Sequence, residues 1–301
     1  MIRFDLHVHS AYSNDGELGI GEIVQKSINN NVAVLSITDH NSTRGIKEAV
    51  AICAKKEIEF IPGIEIDCTY QGIDLHLLGY HINWSSRDFE DLEKKVEMKI
   101  MDSIPLMIEN LAAEGIQIDA DEIMGKSQGK PPSPEFIAEV LLEKGESKTN
   151  NKLKPYLKGG KRSDMPYINF YLDFFAQGKP AHVKIEYMDF SDAIELVKRQ
   201  GGIPIVAHPG LNLNGKEEKV VELLDQGAEG LEVFNNYHDR NQMAYFAALV
   251  KEKGVLMTCG SDFHGKIKPV IEIGKYGFSD KYQETLEKSI ASIHEIAGRI
   301  I

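Results

Sequence analysis

The chain of 301 residues has few cysteines and no cysteine pair. Cys53, Cys68 and Cys259 are scattered, and none forms a C-x-x-C motif. An odd and sparse set argues against a disulfide framework and fits a reducing compartment, so the sequence predicts a cytoplasmic protein. Cys68 and Cys259 lie close to candidate site residues, but small buried thiols are common in protein cores, and we expect them to be structural.

Long apolar segments are also missing, and basic residues are outnumbered. No apolar run approaches the roughly 20 residues of a membrane-spanning helix, and the start, MIRFDLHVHS, lacks the features of a signal peptide. The 34 Lys and Arg against 46 Asp and Glu give a net charge of −12. Such a surface repels polyanions, so we expect no membrane attachment and no stable nucleic-acid complex. Bound divalent cations would nevertheless make a local site cationic.

Short apolar segments, each ending in polar residues, alternate with segments of helical period. The apolar segments are Ile2–Val8, Val32–Ile37, Glu59–Ile64, Ile73–Leu78, Ile203–Ala207, Gly230–Phe234 and Val255–Cys259. The helical segments between them are Glu22–Asn29, Gly45–Lys56, Ser191–Gln200, Glu217–Gln226 and Arg240–Lys253. This alternation predicts an α/β fold with a largely parallel sheet, and polar residues gathered at strand ends are typical of barrel enzymes. We predict a distorted seven-stranded (β/α)7 barrel.

Residues 86–180 interrupt the alternation. Ser86–Glu114 and Ser133–Glu143 have helical period, and the connection Gly145–Lys161 is polar. We therefore predict a mostly helical insertion over 86–180, which acts as a lid over a barrel built from 1–85 and 181–301. The alternative is a stabilising appendage that does not contact substrate.

The C-terminal segment from Lys281 to Ile301 is predicted to be a helix. Apolar residues recur in it at steps of three and four, and they are Leu286, Ile290, Ile293, Ile296 and Ile300. We expect this face to pack on the outside of the barrel, and a homodimer contact is the alternative.

His7 and His9 stand at the end of the first predicted strand. Residues two apart in a strand face the same side, so both imidazoles can reach one cation. Seven of the ten histidines lie at or just beyond predicted strand ends. The candidate metal ligands are His7, His9, Asp15, His40, Glu65, His76, His208, Asp262 and His264. Imidazole and carboxylate ligands suit Mn, Zn, Fe or Mg, and so many ligands predict two or three divalent ions that share a bridging carboxylate.

The motifs HVHSAYSNDG, ITDHNS, PGIEI, DLHLLGY, VAHPG, GLEVFN and CGSDFHG occur in this order. Over residues 1–84 and 180–270 the chain thereby resembles the polymerase and histidinol phosphatase (PHP) superfamily, in particular its nucleotide-phosphatase-like branch. The resemblance implies a distorted seven-stranded barrel. It also implies a first ion held by His7, His9, Glu65 and Asp262. Glu65 would bridge to a second ion on His76 and His208, and a third ion would take Asp15, His40 and His264.

The chain departs from the family pattern at three places. Asp15 stands where many trinuclear members have histidine, which leaves the third ion the least certain by sequence. Ser133-Pro134-Glu135 replaces the Arg-Pro-His sequence of relatives that act on nucleotide phosphates, and Leu211 stands where an arginine is frequent. The substrate is therefore less well specified than the metal ligands.

Further residues are candidates for contacts outside the metal ligands. His238 could protonate a leaving group or touch phosphate, and Arg44 is the cation placed nearest the site, ahead of Lys161, Arg162 and Lys184. Asp5 and Asp39 precede ligand histidines and are interpreted as carboxylates that orient imidazoles, although Asp39 could instead contact substrate. We expect His81, His182 and His294 to be structural.

The predicted reaction is hydrolysis of a small phosphomonoester, a nucleotide or related phosphate, by a hydroxide that bridges two metal ions. No G-x-S-x-G or P-loop motif offers another chemistry. One alternative is an exonuclease on short oligonucleotides, or another metal-dependent hydrolase such as an amidohydrolase. Amidohydrolases commonly use a carboxylated lysine, which no strand-end lysine here supplies. The remaining alternative is a non-catalytic metal-binding regulatory module, which the intact ligand set disfavours.

Overall fold

The structure is a computed structural model that describes residues 3–127, 129–144 and 149–300, with the side chains of 297–300 excluded. Its strands form one sheet in the order β1-β2-β3 and a second in the order β6-β4-β5-β7-β8-β9. The strands are β1 (Arg3–Asp5), β2 (Val32–Leu35), β3 (Glu59–Phe60), β4 (Gly63–Tyr70), β5 (Ile73–Tyr80), β6 (Met188–Asp189), β7 (Ile203–Val206), β8 (Gly230–Phe234) and β9 (Leu256–Cys259).

The helices lie between these strands and in the insertion. They are α1 (Ile20–Asn29), α2 (Ile46–Lys56), α3 (Arg87–Ala113), α4 (Ala120–Lys126), α5 (Pro134–Glu143), α6 (Pro166–Phe170), α7 (Phe190–Arg199), α8 (Pro209–Leu213), α9 (Val220–Asp225), α10 (Arg240–Lys253) and α11 (Gln283–Ile300). Their ends follow local chemistry. The Asp239 carboxylate caps the first turn of α10, and Gly254 ends that helix in the left-handed conformation. No described helix has both the length and the apolar character needed to cross a membrane.

The α/β fold with mixed sheets agrees with the predicted class, with one strand reversed. All pairs are parallel except those of β5, which is antiparallel to both β4 and β7. As a result, Glu65 and His76 lie inside strands, and the prediction that they stand at strand ends was wrong. Both residues nevertheless lie beside the ends of neighbouring strands. The Glu65 carbonyl accepts from Asn41 N, just beyond β2, and the His76 carbonyl accepts from Ala207 N, just beyond β7.

Backbone hydrogen bonds join the two sheets where the first and last strands meet, a line that we call the first-to-last seam. Leu6 N donates to Cys259 O at 3.1 Å, and His9 N donates to Phe263 O at 2.9 Å. On the other side, Asn41 N donates to Glu65 O at 2.7 Å. These bonds bring the polar ends of β1, β2, β7 and β9 to one mouth.

The insertion has a hydrophobic cluster of its own, which includes Leu111, Ile137 and Phe170. The predicted helix over Ser86–Glu114 corresponds to α3, which has Ser86 as its N-cap and Glu114 as its C-cap. The first half of α3 packs on the main core rather than on the cluster of the insertion. α5 follows the Ser133 cap, as the sequence predicted. Of the polar connection Gly145–Lys161, residues 145–148 lie outside the described residues.

The C-terminal helix packs on the outer side of the sheet, as predicted. Leu286, Ile290 and Ile293 are buried in the main core, and Ile296 packs against it. The Ser289 hydroxyl accepts a hydrogen bond from Met257 N of β9 at 3.0 Å. The side chain of Ile300 lies outside the described residues.

Candidate metal centre

All nine predicted ligands converge at the mouth formed by the strand ends. His7 and His9 follow β1, Asp15 lies in the loop before α1, and His40 follows β2. Glu65 and His76 project from the β4–β5 hairpin, and His208, Asp262 and His264 follow β7 and β9. Their ligand atoms fall into overlapping groups, and within each group all ligand atoms lie within 4.8 Å of one another. The first group is His7, His9, Glu65 and Asp262, the second is Glu65, His76 and His208, and the third is His9, Asp15, His40 and His264. A fourth combination is His40, Asp67 and His76.

The first group is fully enclosed. His7 Nε2 and His9 Nε2 each lie 3.0 Å from Glu65 Oε2. The same two nitrogens lie 3.3 and 3.1 Å from Asp262 Oδ1. The side chains of His7, His9 and Glu65 have no exposed surface.

Glu65 also forms the second group through its other oxygen. His76 Nδ1 and His208 Nε2 lie 3.0 and 3.1 Å from Glu65 Oε1. One carboxylate thus turns Oε2 to one pair of imidazoles and Oε1 to another. This is the arrangement expected of a carboxylate that bridges two ions.

The third group is more open than the first. Asp15 Oδ2 lies 3.0 Å from His264 Nε2 and 3.6 Å from His40 Nε2. The side chains of Asp15 and His40 are each 13 % exposed, and that of His76 in the second group is 28 % exposed. The centre is therefore open to solvent on the side of the second and third groups.

The donor atoms fit divalent metal ions. His7 Nε2, His9 Nε2, Glu65 Oε2 and Asp262 Oδ1 are buried without a hydrogen-bond partner among the described residues. Buried polar atoms are seldom left unpaired, so this set needs a ligand. Atoms that bind one ion at about 2.1 Å lie about 3.0 to 3.4 Å apart in octahedral or tetrahedral geometry, which matches the distances within the first group. The clusters therefore indicate divalent metal binding.

The carboxylates of this centre are held in their ionised form. Burial raises the pKa of Glu65, but His7, His40 and His76 outweigh it and keep that pKa well below its usual range. Burial also opposes ionisation of Asp262, whose pKa is nevertheless held well below its usual range, chiefly by Lys268. Ionised carboxylates are the form that binds metal.

Three residues that the sequence reasoning missed hold ligands in place. Glu232 Oε1 lies 3.0 Å from His7 Nδ1, and its Oε2 accepts from His208 N at 2.8 Å. Asp262 Oδ2 accepts from Lys268 Nζ at 2.6 Å and from the Tyr237 hydroxyl. A carboxylate behind a ligand imidazole fixes which nitrogen faces the metal.

The backbone near the ligands adopts conformations that most side chains avoid. Asp262 has φ +55° and His208 has φ +22°. Strain of this kind persists where the surrounding structure requires it, as at binding sites. Gly260 is needed for another reason, since a Cβ there would stand 2.3 Å from His7 Cβ across the first-to-last seam.

The two carboxylates predicted to orient imidazoles bind main-chain and hydroxyl groups instead. Asp5 accepts from the backbone N–H of Ser261 and of Gly274, at 2.8 and 2.6 Å, so its predicted role was wrong. Asp39 is 2 % exposed and accepts from the backbone and hydroxyl of Ser10 at 2.6 and 2.7 Å. Both hold the loops that carry ligands, and the enclosed position of Asp39 favours positioning over a contact with substrate.

The surroundings of His238 favour a structural role over the predicted catalytic one. Its side chain is buried, its Nε2 accepts from Gly210 N at 2.9 Å, and its Nδ1 lies 2.9 Å from the Val233 carbonyl. Burial also lowers its pKa, which favours the neutral ring. With both nitrogens bound to backbone, His238 fixes the turn after His208. His81 and His294 contact each other at 3.1 Å and belong to none of the ligand groups.

Arg44 stands at the mouth, as predicted, but it is already paired. Its Nε lies 2.8 Å from Glu93 Oε1, and its side chain is 53 % exposed. Lys130 of the insertion lines the same pocket beside His40 and Asn14, and its Nζ donates to the carbonyl oxygens of Ala11 and Ser13. Lys130 was not predicted from the sequence, because its placement depends on how the insertion folds back. Lys184 pairs with Glu186, and Arg162 pairs with Asp173.

The insertion also forms a wall of the cleft that reaches the open side of the centre. Ser133, Glu135 and Tyr171 line this cleft together with His40 and His76. Burial raises the pKa of Glu135 to about 7. The Ser133-Pro134-Glu135 segment thus borders the metal centre, although it carries none of the cations of the Arg-Pro-His sequence.

Comparison with known proteins identifies relatives over most of the chain. The model of the PHP domain family matches residues 5–297. A 3′,5′-nucleoside bisphosphate phosphatase of Chromobacterium violaceum is 27% identical, with 88% of each chain covered. A 5′-3′ exoribonuclease of Haemophilus influenzae is 29% identical over 87% of this chain and 90% of its own. A solved structure described as an amidohydrolase from Chromobacterium violaceum has a TM-score of 0.76 at 24% identity, over 95% of this chain and 96% of that chain, and so shares the fold.

Proposed function

Because this chain belongs to the PHP domain family, we propose that it is a metal-dependent hydrolase of small phosphomonoesters. The observation that carries the proposal is the position of the Glu65 carboxylate between two pairs of imidazoles. One of its oxygens faces each pair. A shared carboxylate of this kind suits a centre with at least two ions, the arrangement of many phosphatases. The third group supports a third ion on Asp15, His40 and His264.

The residues of the chain supply binding and orientation. Divalent ions, when bound, lower the pKa of water toward neutrality and offset charge on phosphoryl oxygens. Glu65 belongs to both the first and the second ligand group and so sets their relative position, and Asp262 completes the first group. Arg44 and Lys130 lie where cations could bind a phosphate beside His40. Arg44 would have to exchange Glu93 for the phosphate, whereas Lys130 is held by carbonyl oxygens and forms no ion pair within the described part of the chain.

The substrate class is proposed from the relatives. One is named a 3′,5′-nucleoside bisphosphate phosphatase and another a phosphoribosyl 1,2-cyclic phosphate 1,2-diphosphodiesterase, so a nucleotide or sugar phosphate is our first candidate. The exoribonucleases among the relatives favour a second candidate, stepwise trimming of short oligoribonucleotides. The net charge of −12 disfavours a lasting complex with longer nucleic acid.

The remaining predictions about architecture stay part of this proposal. We keep the seven-stranded barrel of 1–85 and 181–301, with 86–180 as a lid, because insertion residues such as Ser133 and Tyr171 line the cleft with His76. A cytoplasmic location is favoured by three free, buried cysteines. The C-terminal helix already buries its apolar face within one chain, which gives a homodimer no support from that face.

The proposal is tested by measuring hydrolysis with Mn²⁺ or Zn²⁺ on three kinds of substrate: nucleoside bisphosphates and monophosphates, a phosphodiester, and short 5′-phosphorylated oligoribonucleotides. We expect phosphate release from mononucleotides that is lost in the His7→Ala, Asp262→Ala double variant and kept in His294→Ala, a histidine outside the centre. Turnover of oligoribonucleotides alone would establish the second candidate. Metal binding without any hydrolysis would overturn both and leave a regulatory module. Activity that survives the double variant would refute the metal centre.

A further inference from the structure

Asp67 lies beside the metal ligands, although it belongs to none of the predicted sets. It follows Glu65 by two residues on β4, so it faces the same side of the sheet. In the register of the hairpin it is paired with His76 of β5. The residue is only 9 % exposed, so its carboxylate is largely withdrawn from water.

One oxygen of Asp67 stands behind two ligand imidazoles. Asp67 Oδ1 lies 2.9 Å from His40 Nδ1 and 3.5 Å from His76 Nε2. The opposite nitrogens of these rings face the centre, with His40 Nε2 at 3.5 Å and His76 Nδ1 at 3.0 Å from Glu65 oxygens. His40 Nδ1 and Asp67 Oδ1 lie at hydrogen-bonding distance, although the direction of the contact departs from the ideal.

The other side of Asp67 is anchored to the loop that carries His40. Asp67 Oδ2 accepts from Asn41 Nδ2 at 2.8 Å, and Asp67 N donates to Asn41 Oδ1 at 3.0 Å. Asn41 has φ +54°, a conformation that asparagine tolerates better than most residues. This reciprocal pair holds the carboxylate in one orientation toward both imidazoles.

We propose that Asp67 is a positioning residue shared by the second and third ligand groups. By drawing the proton of His40 to Nδ1 and that of His76 to Nε2, it leaves His40 Nε2 and His76 Nδ1 free to bind metal. One carboxylate then sets the affinity of two ions, while the first group, oriented by Glu232, is independent of it. The inference rests on the proposed metal centre and extends it beyond the ligands themselves.

The test is Zn²⁺ binding to the full chain, measured by competition with a chromophoric chelator and by metal analysis after equilibrium dialysis. For Asp67→Asn we expect affinity at two of the sites to fall about 10- to 100-fold, with full stoichiometry recovered at high Zn²⁺. Asn41→Gly removes the anchoring side chain while suiting the positive φ, and it should weaken the same two sites. Asp74→Asn, on the same hairpin, is the matched control and should bind like wild type.

Three results would overturn the inference. Unchanged affinity in Asp67→Asn would remove the positioning role. Loss of one ion that high Zn²⁺ does not restore would make Asp67 a direct ligand. An equal loss of Zn²⁺ affinity in Asp74→Asn would show that the effect comes from removing a nearby negative charge and not from positioning the imidazoles. Because metal binding is read without turnover, a wild-type protein that binds Zn²⁺ yet hydrolyses no phosphate would refute the proposed function and leave this inference standing. Thermal unfolding of the metal-free variants separates misfolding from lost affinity.

Discussion

Replacing Lys268 with methionine removes one partner of a buried ion pair and leaves the other, Asp262, without its cation. Lys268 Nζ lies 2.6 Å from Asp262 Oδ2, and the two side chains are 10 % and 3 % exposed. The same ammonium donates to the Tyr237 hydroxyl at 2.7 Å. Methionine keeps much of the length of the lysine stem, so the change acts mainly on charge.

The expected loss in the free energy of unfolding depends on how deeply the ion pair is buried rather than on its length. Breaking a buried pair from one side costs about 3–5 kcal/mol, because the remaining charge is left in a poorly solvated place. Lys275 and Glu272 form a pair of the same length, 2.6 Å, with side chains 54 % and 56 % exposed. A pair so exposed contributes about 0–1 kcal/mol, so Lys275→Met should have little effect.

The assay is urea unfolding of the metal-free protein, followed by circular dichroism and by the fluorescence of Trp84, the single tryptophan. A double-mutant cycle with Asp262→Asn isolates the pair, and the matching cycle uses Lys275→Met with Glu272→Gln. The reasoning is refuted if Lys268→Met lowers the free energy of unfolding no more than Lys275→Met does.

Two further predictions concern other carboxylates. Glu232→Gln should weaken Zn²⁺ binding at the first ligand group about 10- to 100-fold, because Glu232 Oε1 faces His7 Nδ1. Chelator competition checks this, and an equal loss in Glu229→Gln, at a partly exposed residue, would contradict it. Burial raises the pKa of Glu135 from 4.5 to about 7, so folding takes up a proton and wild-type stability falls as pH rises between those values. Glu135→Gln lacks this penalty, and its advantage in urea unfolding of metal-free protein should grow between pH 5 and pH 8 toward roughly 3 kcal/mol. A difference independent of pH would show that the carboxyl does not titrate in this way.

The sequence was sufficient to select the candidate ligands that the fold brings together, because most of them lie at or near strand ends. His7 and His9 follow β1 at the spacing that places two imidazoles on one side, and His208 follows β7 at the same mouth. The reversal of β5 was not predictable from its apolar pattern, since a buried strand has the same apolar pattern whether it runs parallel or antiparallel to its neighbours. Glu65 and His76 were therefore included among the candidate ligands, yet placed wrongly along their strands.

The residues that support the ligands were harder to predict, for different reasons. Asp67 could have been found, because it shares the side of β4 that carries Glu65. Glu232 could also have been suspected, as a lone carboxylate within the apolar strand Gly230–Phe234. Lys268 carries no such signal, since its partner is fixed only by the path of the chain after β9. The structural setting of His238 was not predictable, because a histidine near a site can equally bind the backbone, and its two contacts at 2.9 Å are visible only in the structure.

The first-to-last seam has a consequence for how the protein is made. In the order of synthesis β1 precedes its neighbour β9 by seven intervening strands, and Asp262 and His264 follow β9. His7 and His9 must wait for them, so the first ligand group is completed only after β9 and Asp262 have been synthesised. An ion bound there would act as a cross-link between β1 and the segment that follows β9. Metal supply would then govern how firmly a newly made chain stays closed, because the stabilisation grows with the logarithm of the free metal concentration once that concentration exceeds Kd.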